Sequence, residues 1–144
     1  YAIVDKFVAD ENSTDMNFKI WMGDIEAYTP FLVKVDETIN MNTKVFEGVD
    51  IEALKEDNLT QSNKSYNFVG KMDLDPIASD FWAVGSLMTE DNFDFNKYAA
   101  GKKVAPMRAF ITAKPGVSKA PVIFIEEADG SVSAINEYSD DDPA

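Results

Sequence analysis

Apolar and polar residues alternate through most of this chain, one to each side, which is the period of a half-buried strand rather than of a helix. In Phe31-Leu32-Val33-Lys34-Val35 the residues Phe31, Val33 and Val35 share a face and are expected in the core. Val45, Val49 and Ile51 share a face in the next run, which Glu47 interrupts. Tyr66, Phe68, Met72 and Leu74 fall at even spacing with Gly70 among them, while Asn67, Lys71, Asp73 and Asp75 take the other side. Phe68, Ile111, and Ile123 or Phe124 complete the expected core.

Turn signals cut the remaining pattern into further strands. Ala2–Ala9 and Asn17–Met22 read as a pair around the polar turn 10–15. Phe81–Met88 is a run with Gly85 inside it. Val104–Ala113 and Pro121–Glu126 are separated by Lys114-Pro115-Gly116, and Asp129-Gly130 leads into a closing hairpin over Ser131–Asn136. Helix signals are thin: Ile51–Asp57 has room for one or two turns, and Asn92–Ala100 is ambiguous. Asn58–Lys64 reads as an exposed polar loop. The expected fold is all-β, an antiparallel sandwich of about eight or nine short strands. It occupies residues 1–138 as one domain, followed by an acidic, frayed tail over 139–144.

Composition narrows the chemistry. The chain has no histidine, no cysteine and a single arginine, Arg108. That excludes a Ser-His-Asp or Cys-His site, a disulfide and a zinc site of the usual kind. A formal net charge of −13 repels phosphate backbones and anionic lipid surfaces, so no nucleic-acid partner is expected. No apolar run approaches the roughly 20 residues that span a bilayer, so no direct membrane insertion is expected of this segment. The opening Tyr1-Ala2-Ile3-Val4-Asp5 does not read as a leader peptide. No cofactor is implied.

Three segments, in order, have a familiar form: Glu26-Ala27-Tyr28-Thr29-Pro30-Phe31-Leu32-Val33-Lys34-Val35, then Asn67-Phe68-Val69-Gly70-Lys71-Met72, then Val104-Ala105-Pro106-Met107-Arg108-Ala109-Phe110-Ile111 followed by Val122-Ile123-Phe124. Together they resemble the C-terminal β-domains of secreted or surface proteins of Bacteroides-type bacteria, which often follow leucine-rich repeats in adhesin-like proteins. The chain departs from that pattern at Met72 and Met107. The resemblance implies a β-rich, exported domain at the cell surface or outside the cell, with no catalytic activity. Its role would be structural or adhesive, toward a protein or glycan partner.

Four residues are candidates for ligand contact. Trp21, Trp82 and Tyr98 could form a sugar-stacking platform, the alternative function being a carbohydrate-binding module; otherwise they pack in the core or at an edge. Arg108 is expected on a strand, its stem at least half-buried and its guanidinium paired with a carboxylate; the functional alternative is a carboxylate- or sugar-binding arginine. Asp73 and Asp75 would sit on one strand face about 7 Å apart, and Glu90, Asp91 and Asp94 fall in a loop. An acid/base pair or a calcium site weighs against a solvated face for both groups, and neither has EF-hand spacing. Asn12-Ser13-Thr14, Asn58-Leu59-Thr60 and Asn63-Lys64-Ser65 match the glycosylation sequon and mark polar loops.

Overall fold

The structure is a computed structural model that describes residues 2–35, 56–84 and 95–135. Among those residues it is nearly all β, with ten strands and one short helix. β1 (Ala2–Phe7) and β2 (Met16–Ile20) form the expected hairpin, with Asp5 opposite Ile20 and Phe7 opposite Phe18. The turn between them closes locally: Asp10 Oδ1 accepts the Asn12 N–H at 2.9 Å. β3 (Leu32–Val35) adds antiparallel to the other edge of β1. α1 (Glu56–Leu59), β4 (Thr60–Ser62), β5 (Tyr66–Gly70), β6 (Phe81–Val84), β7 (Phe95–Tyr98) and β8 (Ala109–Ala113) follow. β9 (Ile123–Glu126) and β10 (Val132–Ile135) make the closing hairpin through the Asp129-Gly130 turn.

Two five-stranded sheets result. The first has the order β10-β9-β2-β1-β3, the second β4-β5-β8-β6-β7. The architecture matches the expected sandwich with a slightly larger strand number and one difference in direction. β9 reaches the open edge of β2 only after the chain has built the second sheet, and it lies there parallel to β2. The Lys114-Pro115-Gly116 turn starts that return, with Gly116 at φ 85°, a conformation that costs glycine little.

The alternation decides what faces what. From the first sheet, Phe7, Met16, Phe18, Leu32, Ile123 and Ile125 turn inward; from the second, Tyr66, Phe68, Trp82, Phe95 and Ile111 meet them. Three rings lock the two layers together. Phe68 stands edge-on to Phe18 at 5.1 Å and to Phe7 at 6.0 Å, while Phe7 and Phe18 lie 5.5 Å apart. A second apolar cluster covers the outer face of the second sheet. There Ile77 and Val104, both on loops, close over Phe81, Ala83 and Phe110.

Asn63 ties the ends of the sheets together. It is buried, donates to Asp15 O at 2.6 Å and accepts from the Ser65 and Tyr66 N–H groups. Lys64 N–H reaches Ser13 O at 3.0 Å beside it. The β1–β2 turn of one sheet is thereby bonded to the β4–β5 turn of the other. The polar stretch 58–64 is therefore helix end, strand and buried cap rather than an exposed loop, and the Asn63 sequon holds a structural asparagine.

Other expectations need correction. The ambiguous stretch Asn92–Ala100 resolves as β7, because pairing with β6 satisfies its backbone where a short helix would stand unsupported. β5 stops at Gly70, so Asp73 and Asp75 lie in a loop and not on one strand face; Asp73 Oδ1 instead accepts the Asp75 N–H. β8 begins only at Ala109, because the chain turns at Pro106-Met107, where Met107 has φ 71°. On β3 the faces are exchanged. Leu32 and Lys34 are buried, Val33 is half-buried and Phe31 is 39% exposed. The cause is a buried ion pair described below. The run around Val45, Val49 and Ile51, the residues from Gly85 to Met88, the acidic trio Glu90, Asp91 and Asp94, and the tail 139–144 lie outside the described residues.

The exchange of faces has a measurable consequence. Phe68→Ala should lower the unfolding free energy by about 3–5 kcal/mol, since its ring touches both sheets. Phe31→Ala should cost less than about 1 kcal/mol. Urea midpoints of the two variants should differ widely, and equal losses would return Phe31 to the core.

Candidate functional site

The inner face of the first sheet is apolar at one end and charged at the other. Ile3, Asp5 and Phe7 alternate inward on β1; Leu32 and Lys34 do so on β3. Lys34 sits opposite Ile3, diagonal to Asp5, and both side chains are fully buried. The Lys34 ammonium lies 3.7 Å from Asp5 Oδ1 and 3.3 Å from Glu127 Oε2, and donates to Glu126 O at 2.8 Å. Glu127 directly follows β9, so one lysine joins an edge strand, its neighbour and the sheet's other half. Glu126 turns its own carboxylate to the Ile20 N–H at 3.2 Å.

The cluster is short of hydrogen bonds. Neither carboxylate oxygen of Asp5 accepts one from the described residues, and Glu127 Oε1 also lacks a partner among them. Burial raises the Asp5 pKa to about 6, Lys34 opposes the shift and Glu127 adds to it. A carboxyl in that state holds its proton near neutral pH far more readily than one in water. None of Asp5, Lys34 or Glu127 carries a motif that marks it. The available signal was a single charge inside each apolar face, Asp5 between Ile3 and Phe7, and Lys34 beside Leu32.

The outer face of the same sheet is a second candidate. Trp21 N–H bonds Val4 O at 2.9 Å, and Val4 pairs with Val33, so the three residues follow one another across the sheet. Trp21 is 42% exposed. Its Nε1–H donates to Asp24 O at 2.9 Å and the Lys6 ammonium stands 4.5 Å from the ring centroid, so the ring is held at an edge and over a face. Lys6 pairs with Lys19 across the strands. Phe31 and Met22 are also exposed.

The four candidate ligand residues do not assemble into one surface. Trp82 is 5% exposed and packs between the sheets with Phe68 and Ile111, so it is a core residue. Tyr98 stacks on Phe81 at 5.1 Å, nearly parallel, on the outer side of the second sheet. Trp21 alone of the three presents an open indole. Arg108 lies on the exposed turn ahead of β8, and no carboxylate pairs with it among the described residues. Its backbone, not its side chain, is engaged: its carbonyl accepts the Lys71 N–H at 2.8 Å.

Among the described residues no group of three or more acidic side chains is arranged to hold a metal ion, and no helix is long and apolar enough to cross a membrane. Compared with family models, curated proteins and solved structures, the chain matches none.

Two expectations follow from this geometry. Arg108→Ala should change stability by less than about 0.5 kcal/mol in denaturant titration. Lys34→Met should cost about 3–5 kcal/mol at pH 7, because it leaves Asp5 and Glu127 buried without their cation. The sign of its pH dependence follows from Asp5. A raised folded-state pKa means the protonated form is the one folding favours, so stability is highest below the ordinary carboxylate range and is lost as pH rises through the folded-state pKa, which is about 6 with Lys34 in place and higher once that cation is removed. Urea midpoints of Lys34→Met should thus rise as pH falls from 7 to 5; a flat profile would put Asp5 in water.

Proposed function

We propose that this is a non-catalytic accessory domain of an exported bacterial surface protein, with a structural or adhesive role. One observation carries the reading: the two outer faces of the sandwich are finished differently. Loops bearing Ile77 and Val104 cover the second sheet. The first sheet turns Val33 and two lysines outward by its register and leaves Trp21 and Phe31 exposed. A face with a fixed indole, aliphatic neighbours and flanking cations suits a protein or glycan partner. The resemblance of segments 26–35, 67–72 and 104–111 to surface-protein domains supports the same setting.

Carbohydrate binding is the second reading, and the half-open indole of Trp21 favours it. A sugar ring stacks its C–H face on such a surface, and Lys6 and Lys19 supply donors for hydroxyls. Trp82 and Tyr98 take no part in this form of the idea.

Immobilised glycans and glycoproteins test both readings together. Wild-type protein should be retained on at least one, and Trp21→Ala should weaken retention about tenfold or more while leaving the unfolding midpoint nearly unchanged. Retention by protein surfaces without sugar dependence supports adhesion, and competition by free sugar supports the glycan reading. If Trp21→Ala and Phe31→Ser bind as wild type does, this face is not the contact surface.

A further inference from the structure

The Asp5, Lys34 and Glu127 cluster has the geometry of a reaction as well as of an ion pair. We propose that Lys34 Nζ and Asp5 Cγ join in an intramolecular amide bond, with Glu127 carrying the proton. Four observations bear on this. The amine and the carboxyl project from neighbouring strands onto the same buried face. The Lys34 Nζ lies 3.7 Å from Asp5 Oδ1, so amine and carboxyl are neighbours that need only a small approach to bring Nζ onto Cγ, and both side chains are fully excluded from water. Glu126 O and Glu127 Oε2 hold the amine in place, at 2.8 and 3.3 Å. Both Asp5 oxygens lack hydrogen bonds from the described residues, so beyond the charge of Lys34 no donor among them ties the carboxylate down.

The step balances without a co-reactant. The ammonium first gives a proton to the Asp5 carboxylate, by way of Glu127, leaving a neutral amine and a neutral acid. Removing both charges from a buried site is favourable there, as it would not be in water. The Nζ lone pair then attacks Cγ. Glu127 takes a second proton from nitrogen and returns it to the departing hydroxyl. The Nζ–Cγ bond forms, one Cγ–O bond breaks and one water leaves. An ammonium and a carboxylate become an amide and water, with no change of oxidation state. The product would clasp β1 to β3, enclosing the β1–β2 hairpin in a covalent loop, and would satisfy the orphaned carboxyl. This proposal rests on the buried cluster alone and stands apart from any binding at Trp21.

Intact-mass spectrometry of the folded, full chain reads the outcome. The wild-type protein should be lighter than its sequence by one water, and tandem spectra of a digest should show the Asp5 peptide joined to the Lys34 peptide. Lys34→Arg and Asp5→Ala should have full sequence mass. Asp5→Asn should lose ammonia in place of water, because an amide is then the leaving group's source. Glu127→Gln should retain full mass with a native circular dichroism spectrum. Wild-type protein at full mass after prolonged incubation in the folded state would overturn the proposal. So would a water loss that survives Lys34→Arg, which would instead mark ring closure at Asp129-Gly130. A cross-link that forms in Glu127→Gln would overturn the part given to Glu127.

Discussion

Lys34 is the residue on which the first sheet depends. Its ammonium is fully buried, so it is tolerable only while Asp5, Glu127 and the Glu126 carbonyl surround it. Those partners come from two distant places in the chain, the first strand and the end of the ninth, and meet the lysine on the third. Once they meet, the register of β3 on β1 is set, and a one-residue slip would turn Lys34 to solvent and leave Asp5 buried alone. Hydrophobic burial is worth more in total, but it is indifferent to that slip, since Phe31, Val33 and Val35 could fill the inner face as well as Leu32 does. The ion cluster supplies the choice between two apolar solutions.

That choice shapes the outer surface. With Leu32 and Lys34 inward, Phe31 and Val33 face outward beside Val4 and Trp21. The sandwich consequently has one outer face closed by its own loops and one that offers aromatic and aliphatic side chains between lysines. In a chain of net charge −13, a pair of lysines opposite each other on that face is locally unusual, and Lys6 is held there by the Trp21 ring. The buried charge and the exposed indole are in this sense two sides of one register.

Much of the fold was legible from alternation and turn chemistry. The hairpins 2–20 and 123–135, the strands at 66–70 and 109–113 and the Pro-Gly turn between the sheets all follow from local pattern. What escaped local pattern was set by distant partners. A lysine between two valines reads as solvent-facing, because the carboxylates that bury it lie 29 residues earlier and 93 residues later. Phe31 reads as inward for the same reason. Trp82 and Trp21 are alike in sequence, yet one pairs across from Ile111 in the core while the other falls past the end of β2. Arg108 reads as a strand residue because apolar residues flank it, but the left-handed turn at Met107 keeps the strand from starting before Ala109. Asp5 and Glu127 were missed outright, since nothing nearby in sequence distinguishes them from other acidic residues of an acidic chain.

The central claim is the register of β3, and nuclear Overhauser spectroscopy on uniformly labelled protein tests it most directly. The account predicts contacts from Leu32 methyls to the Phe7 and Phe68 rings, and from the Lys34 side-chain methylenes to the β-protons of Asp5. It also predicts that Val33 methyls see Val4 and the Trp21 indole. Contacts from Phe31 and Val33 into the Phe7, Phe18 and Phe68 ring cluster, with Lys34 showing none to Asp5, would contradict it.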